Sequence, residues 1–83
     1  MTSNLKFSEL QELAAEILGV EPDQVGLEKS FARDLAADSL DLVELIAAVE
    51  DKYDVELPED TLEAMHNVGD LWEFLQANAR QEA

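Results

Sequence analysis

Ser39 is the residue in this chain whose setting could give a hydroxyl a chemical task. It stands in Asp38-Ser39-Leu40-Asp41, at the head of an acidic helical stretch that runs on to Asp51. A nucleophilic serine needs a general base within reach and donors for an oxyanion. The only histidine is His66, far along the chain, and Ala37-Asp38-Ser39-Leu40-Asp41 is not the Gly-x-Ser-x-Gly elbow of the serine hydrolases. A hydroxyl at a helix start, on a negative surface and without a base, reads as an attachment point. The competing reading is that Ser39 is simply a helix cap, the usual work of serine at such a place.

Carboxylates are plentiful, but their spacing builds no metal site. No window has the alternating ligands, sixth-position glycine and twelfth-position glutamate of a calcium-binding EF-hand loop. One histidine and no cysteine leave zinc without ligands, and no glycine-rich phosphate cradle is present. The absence of cysteine also removes disulfides and thiol nucleophiles. No resident metal is therefore expected, only weak screening of carboxylates by divalent cations.

The 20 Asp and Glu residues outweigh 5 Lys and Arg, for a formal net charge of −15. Such a surface repels nucleic-acid phosphates and anionic lipid, and steers proteins with basic patches toward itself. The charge is concentrated. Asp34, Asp38, Asp41, Glu44, Glu50, Asp51, Asp54, Glu56, Glu59, Asp60 and Glu63 all fall around and after the serine, against Lys52 alone.

These groups must be positioned by a small scaffold. Eighty-three residues make one domain, 1–83, that buries only about 60–65% of its unfolded surface. The 47% hydrophobic content, arranged in periodic blocks, argues for a folded chain rather than a disordered acidic one. Leu10, Leu13, Ala14, Ile17 and Leu18 recur at helical spacing and Gly19 suits a left-handed helix end, which predicts a first helix from about Lys6 to Leu18. Its start is open between a Ser8–Gln11 capping box and an earlier turn capped by Ser3 or Asn4. Val20 to Asp38 has no sustained period and forms a long loop, tacked down by Val25, Leu27, Phe31 and Leu35.

A second helix is expected over about Ser39 to Tyr53. Its apolar face holds Val43, Ile46 and Val49, with Leu42, Leu45 and Tyr53 alongside, and Asp41, Glu44, Ala48 and Asp51 lie opposite. Pro58 at a first helical position, with Glu59 and Asp60 behind it, opens a short third helix reaching about Met65. Asn67 and Asp70 resemble a cap for a fourth helix with Val68, Leu71, Phe74 and Leu75 as its stripe, ending near Asn78. Tyr53 and Trp72 are expected to pack, and His66 to lie at the surface. No segment alternates with period two for long. The fold class is all-α: a small four-helix bundle with three longer helices, one short helix and a long loop between helices one and two. No apolar run is long enough for a signal core or a membrane span, and a cytoplasmic monomer without membrane insertion is expected.

The ordered set Phe31-Ala-Arg-Asp34-Leu35-Ala36-Ala37-Asp38-Ser39-Leu40-Asp41-Leu42-Val43-Glu44-Leu45, then Val49 through Asp60 and Asn67-Val68-Gly69-Asp70-Leu71, resembles the acyl carrier proteins. Leu18-Gly19-Val20 fits as well, so the likeness covers nearly the whole chain. It implies that Ser39 receives 4'-phosphopantetheine from coenzyme A through a magnesium-dependent phosphopantetheinyl transferase, making the chain a phosphoprotein. The terminal thiol of that arm would carry acyl intermediates as thioesters between enzymes of fatty-acid or polyketide-type synthesis, within lipid metabolism. The chain itself would be no enzyme.

The same resemblance implies a recognition face for ketosynthases, acyltransferases and other acyl-handling enzymes with basic docking patches. Asp38, Asp41, Glu44, Glu50, Asp51, Glu59, Asp60 and Glu63 would supply its charge and Leu40 an apolar anchor. Val43, Ile46, Leu62 and Met65 are candidates to line an acyl shelter. Two departures stand out: Ala36 where relatives often have glycine, and Ala47-Ala48 where a larger apolar residue is common. The rival reading is an unmodified acidic helical adaptor that binds basic proteins.

Overall fold

Gly19 closes the first helix as its position suggests. In the computed structural model, which describes residues 5–78, α1 (Phe7–Leu18) ends where Gly19 turns left-handed at φ 73° and its N–H reaches the Ala15 carbonyl. The start differs from the Ser8–Gln11 capping box expected for it. Lys6 is the N-cap and contributes no side-chain bond, and Ser8 lies inside the helix. Gln11 is drawn off the helix end because its amide donates to the Val25 carbonyl at 2.9 Å, pinning the loop. Ser3 and Asn4 lie outside the described residues.

The loop after α1 contains one 3-10 turn, Pro22–Gln24, closed by a reciprocal bond between Glu21 and Gln24. Val25, Phe31 and Leu35 are buried as expected, but Leu27 is 47% exposed. Its backbone is what holds. The loop runs antiparallel to the segment 66–69, with Phe31 N–H on the His66 carbonyl (3.2 Å), Val68 N–H on Lys29 (2.9 Å) and Gly69 N–H on Leu27 (2.8 Å). Ser30 and Asn67 form an isolated bridge there, and no strand occurs among the described residues.

The remaining helices are α2 (Ser39–Tyr53), α3 (Glu59–Ala64) and α4 (Val68–Asn78). Pro58 is the N-cap of α3 rather than its first residue, since its φ of −63° is paired with an extended ψ of 160°. The cap expected for α4 is present: Asp70 N–H donates to Asn67 Oδ1 at 2.9 Å, and the Asp70 carboxylate accepts from the N–H groups of His66 and Asn67. Between α2 and α3 burial alternates, with Val55 and Leu57 buried and Glu56 exposed. Glu50 holds this connection, its carboxylate accepting the Leu57 N–H at 2.8 Å.

The core gathers Leu10 and Ala14 of α1, Leu45, Val49 and Tyr53 of α2, and Val68, Leu71 and Leu75 of α4, all at most 1% exposed. No residue of α3 is fully buried, so that helix adds little to the core. Phe7 and Trp72 join α1 to α4 edge to face, with centroids 5.3 Å apart. Lys52 and Glu9 approach to 3.8 Å at the surface, where such a pair is worth little.

Tyr53 packs as expected, yet its hydroxyl is buried with no hydrogen-bond partner among the described residues. Leaving a buried hydroxyl unmet costs about 1–3 kcal/mol. Tyr53→Phe is therefore expected to raise the melting temperature by about 4–8 °C, the equivalent of roughly 1 kcal/mol in a domain of this size. Burial, and secondarily the charge of Glu9, push the phenol above its ordinary value of 10.0. Above that pH the unfolded chain ionises first, so wild-type stability falls as pH rises past 10 while the Phe variant lacks this loss. Thermal denaturation at pH 8 and pH 11 checks both; a Phe variant less stable at pH 8 would mean the hydroxyl has a partner.

Candidate functional site

Ser39 is the first residue of α2, but it does not cap it. Asp38 is the N-cap: its carboxylate accepts the Asp41 N–H at 2.8 Å, and the Asp41 carboxylate accepts the Asp38 N–H at 3.3 Å. This corrects the reading of Ser39 as a cap, and the reason is chemical. Aspartate one position earlier presents an anionic acceptor to the same orphan N–H, leaving the serine hydroxyl unused. Ser39 is exposed, and its hydroxyl has no hydrogen-bond partner among the described residues.

No base among the described residues is bonded to the hydroxyl to activate it. His66 is exposed at the joint between α3 and α4, and no hydrogen bond links it to Ser39. No cluster of His, Asp and Glu able to hold a metal occurs among the described residues. The arrangement presents an oxygen without making it a nucleophile. The positive end of α2 favours an anion on that oxygen by about 0.3–1 kcal/mol at an exposed site.

The segment leading to Ser39 is tightly folded. Ser30 receives the N–H groups of Asp34 and Leu35 on its carbonyl, its own N–H donates to the Asp34 carboxylate at 2.7 Å, and its hydroxyl accepts the Arg33 N–H. Ala37 is buried and donates to the Phe31 carbonyl at 2.8 Å. Between these anchors Ala36 takes φ 55°, the left-handed region. A β-carbon there is strained by about 1 kcal/mol or more, which glycine avoids. Ala36→Gly is thus expected to stabilise the fold by about 0.5 kcal/mol after the unfolded-state entropy of glycine is subtracted. A chemical-denaturation midpoint that falls would place the strain elsewhere.

On α2, Ser39, Leu42, Val43 and Ile46 follow the spacing of one helical face. That face borders a cavity of about 80 Å³ lined by Phe31, Leu42, Val43, Ile46, Leu62 and Met65. All four residues expected to line an acyl shelter are there. Phe31 and Leu42 were not among them, although the position of Leu42 three residues after Ser39 signals the shared face.

Val43, expected on the buried face of α2, is 62% exposed. The buried line runs through Leu45, Val49 and Tyr53 with Ile46 beside it, while Leu42 and Val43 turn toward α3, too short a helix to cover them. Val43 is the rim of the cavity rather than its floor.

Leu40 is 65% exposed, and Asp38, Glu44, Asp51, Glu59, Asp60 and Glu63 are exposed. Asp41 is half-buried in the capping box and Glu50 half-buried on the Leu57 N–H, so these two acids are already engaged within the fold. Along α2, Leu40, Glu44, Ala47 and Asp51 form one solvent-facing stripe of alternating apolar and acidic character.

Comparison with known proteins bears on this geometry. Residues 8–75 match the family described as the phosphopantetheine attachment site. An acyl carrier protein of Sulfurovum sp. (strain NBC37-1) is 46% identical over 70 residues, 84% of this chain and 93% of that protein. Acyl carrier proteins of Helicobacter acinonychis (strain Sheeba) and Clostridium acetobutylicum (strain ATCC 824) are 44% identical over 72 residues and 37% over 75. They cover 87% and 90% of this chain, and 92% and 97% of their own length.

Proposed function

The chain belongs to the acyl carrier proteins, carriers rather than enzymes that work through a 4'-phosphopantetheine prosthetic group, and from that premise we propose that Ser39 is the residue that bears it. The observation that carries the proposal is the division of labour at the start of α2. Asp38 caps the helix, and the neighbouring serine keeps an exposed, unpartnered oxygen at the positive helix end. A phosphodiester fits there, with solvent on one side and the apolar rim of Leu42 and Val43 one turn away.

When bound, the group supplies a thiol that holds acyl chains as thioesters. The chain's own residues do the rest. Ser39 anchors, Leu42, Val43, Ile46, Leu62 and Met65 exclude water from the part of an acyl chain that enters between α2 and α3, and the acidic stripe draws in partners. No base of this chain takes part. Enzymes with basic patches, among them the transferase, ketosynthases and acyltransferases, meet Leu40, Glu44 and Asp51 on α2 and Glu59, Asp60 and Glu63 on α3. Fatty-acid or polyketide-type synthesis in the cytoplasm is the setting this composition suits. No helix among the described residues is long and apolar enough to cross a membrane.

Peptide mapping after incubation with coenzyme A, Mg²⁺ and a broad-specificity transferase tests the site. Trypsin cutting after Arg33 and Lys52 releases residues 34–52, in which Ser39 is the only hydroxyl-bearing side chain. One phosphopantetheine is expected on that peptide. A modification mapped to another peptide, or none under conditions that load a control carrier, would overturn the assignment.

Docking has its own test. Glu44→Lys is expected to lower kcat/KM of an acyl-handling partner about fivefold, the equivalent of roughly 1 kcal/mol, with helical content unchanged. Equal turnover would remove that stripe of α2 from the interface.

A further inference from the structure

Beside the cavity under Val43 lies a second, wider basin of about 440 Å³ that shares Phe31, Leu42 and Met65 with it and continues to Ala32, Arg33 and His66. The two spaces thus share part of one apolar wall, but their linings differ. The inner cavity is lined by apolar side chains alone, whereas the basin is also lined by Arg33 and His66, with Ser30, Asn67 and the acid Glu28.

Arg33 is the one permanent cation among the residues that line the basin, and it makes no ion pair among the described residues. The side-chain oxygens of Ser30 and Asn67 already serve as acceptors within the fold. The Ser30 hydroxyl accepts the Arg33 N–H, and the Asn67 side-chain oxygen accepts the Asp70 N–H. The Glu28 carboxylate folds back over its own turn, within 3.5 Å of where a β-carbon on Gly26 would stand. The donors that remain to meet an incoming acceptor are the Arg33 guanidinium, the His66 side chain, the Ser30 O–H and the Asn67 side-chain amide N–H. A guanidinium is permanently charged, and its planar fork matches a carboxylate.

Building on the assignment of Ser39 as the tether, we propose that the basin is a terminal-group subsite for acyl chains that end in a carboxylate. Methylenes of the cargo lie against Leu42, Met65 and Phe31, and the distal carboxylate reaches Arg33, with His66 at its side. A plain alkyl chain has no group for Arg33 and stays in the inner cavity. The carrier then discriminates two cargo classes by where their tails rest.

The experiment compares the protein carrying adipoyl with the protein carrying hexanoyl on its pantetheine, chains of equal carbon number that differ in the terminal carboxylate. Mass spectrometry first establishes loading at Ser39. In ¹H–¹⁵N spectra, hexanoyl is expected to move the amides of Val43, Ile46, Leu62 and Met65. Adipoyl is expected to move those of Ala32, Arg33 and His66 in addition, together with the Arg33 side-chain N–H. Arg33→Gln should diminish the additional shifts, in line with a two- to fivefold change in that equilibrium, and leave the hexanoyl pattern intact. An exposed ion pair moves such an equilibrium about two- to fivefold, so the adipoyl shifts should shrink as salt is raised.

Identical patterns for the two cargoes, or an adipoyl pattern undiminished by Arg33→Gln, would overturn the subsite while leaving the tether standing. Failure to load at Ser39 would overturn both.

Discussion

Ser39→Ala is expected to abolish loading with phosphopantetheine completely while shifting the melting temperature by no more than about 4 °C, because an exposed substitution away from a cap costs under roughly 0.5 kcal/mol. The second half of this expectation follows from the cap. Asp38 and Asp41 bond each other's N–H groups at the start of α2, and the serine hydroxyl takes no part in that cap. Asp38→Ala should behave in the opposite way, losing about 1 kcal/mol of stability, or 4–8 °C, while the hydroxyl remains in place. Intact-mass measurement and thermal denaturation of the two variants separate attachment from capping. A Ser39→Ala protein that melts like Asp38→Ala would return the serine to a structural role.

Gly69→Ala carries the largest expected cost in stability. In an unencumbered helix this change stabilises by about 1 kcal/mol, since alanine is the better helix former. Here a β-carbon would stand 2.9 Å from the Leu27 carbonyl oxygen, the same oxygen that accepts the Gly69 N–H at 2.8 Å. Backbone cannot yield as a flexible side chain does, so loop and α4 must part and that bond is lost. Strain and the lost bond together outweigh the propensity gain, for a net destabilisation of about 2 kcal/mol. For a domain of 83 residues, with total stability of about 4–12 kcal/mol, that corresponds to a fall of roughly 10 °C. A melting temperature that rises would show that helix propensity governs this position. The loop so released carries Phe31, a wall of both the cavity and the basin, so the same variant should broaden the amide signals of Phe31 and Met65.

Helical periodicity was legible at long range. The bounds expected for the second and fourth helices match those observed, and Gly19 marked the end of the first, because apolar spacing and glycine punctuation are local properties. The cap of α1 is not legible in the sequence for a non-local reason: Gln11 bonds Val25, fourteen residues away, rather than its own helix end. Leu27 was read as an anchor by its side chain, yet it anchors by its carbonyl, which no composition rule distinguishes. The structural role of Glu50, one acid in a run of acids, depends on where the chain doubles back to place the Leu57 N–H.

What the order of residues determined alone was the class of molecule: an acidic helical carrier without catalytic groups, and a serine at a helix start within a motif specific enough to name a family. Those properties reside in residue identity and short spacing, so they are readable before folding. Tertiary structure decided which of two adjacent residues caps α2, that Val43 stands at a rim rather than in the core, and that Arg33 shares an apolar wall with Leu42 and Met65. Each of these depends on how a short α3 and a looped segment settle against α2, and burial of that kind is set by contacts between residues distant in the chain.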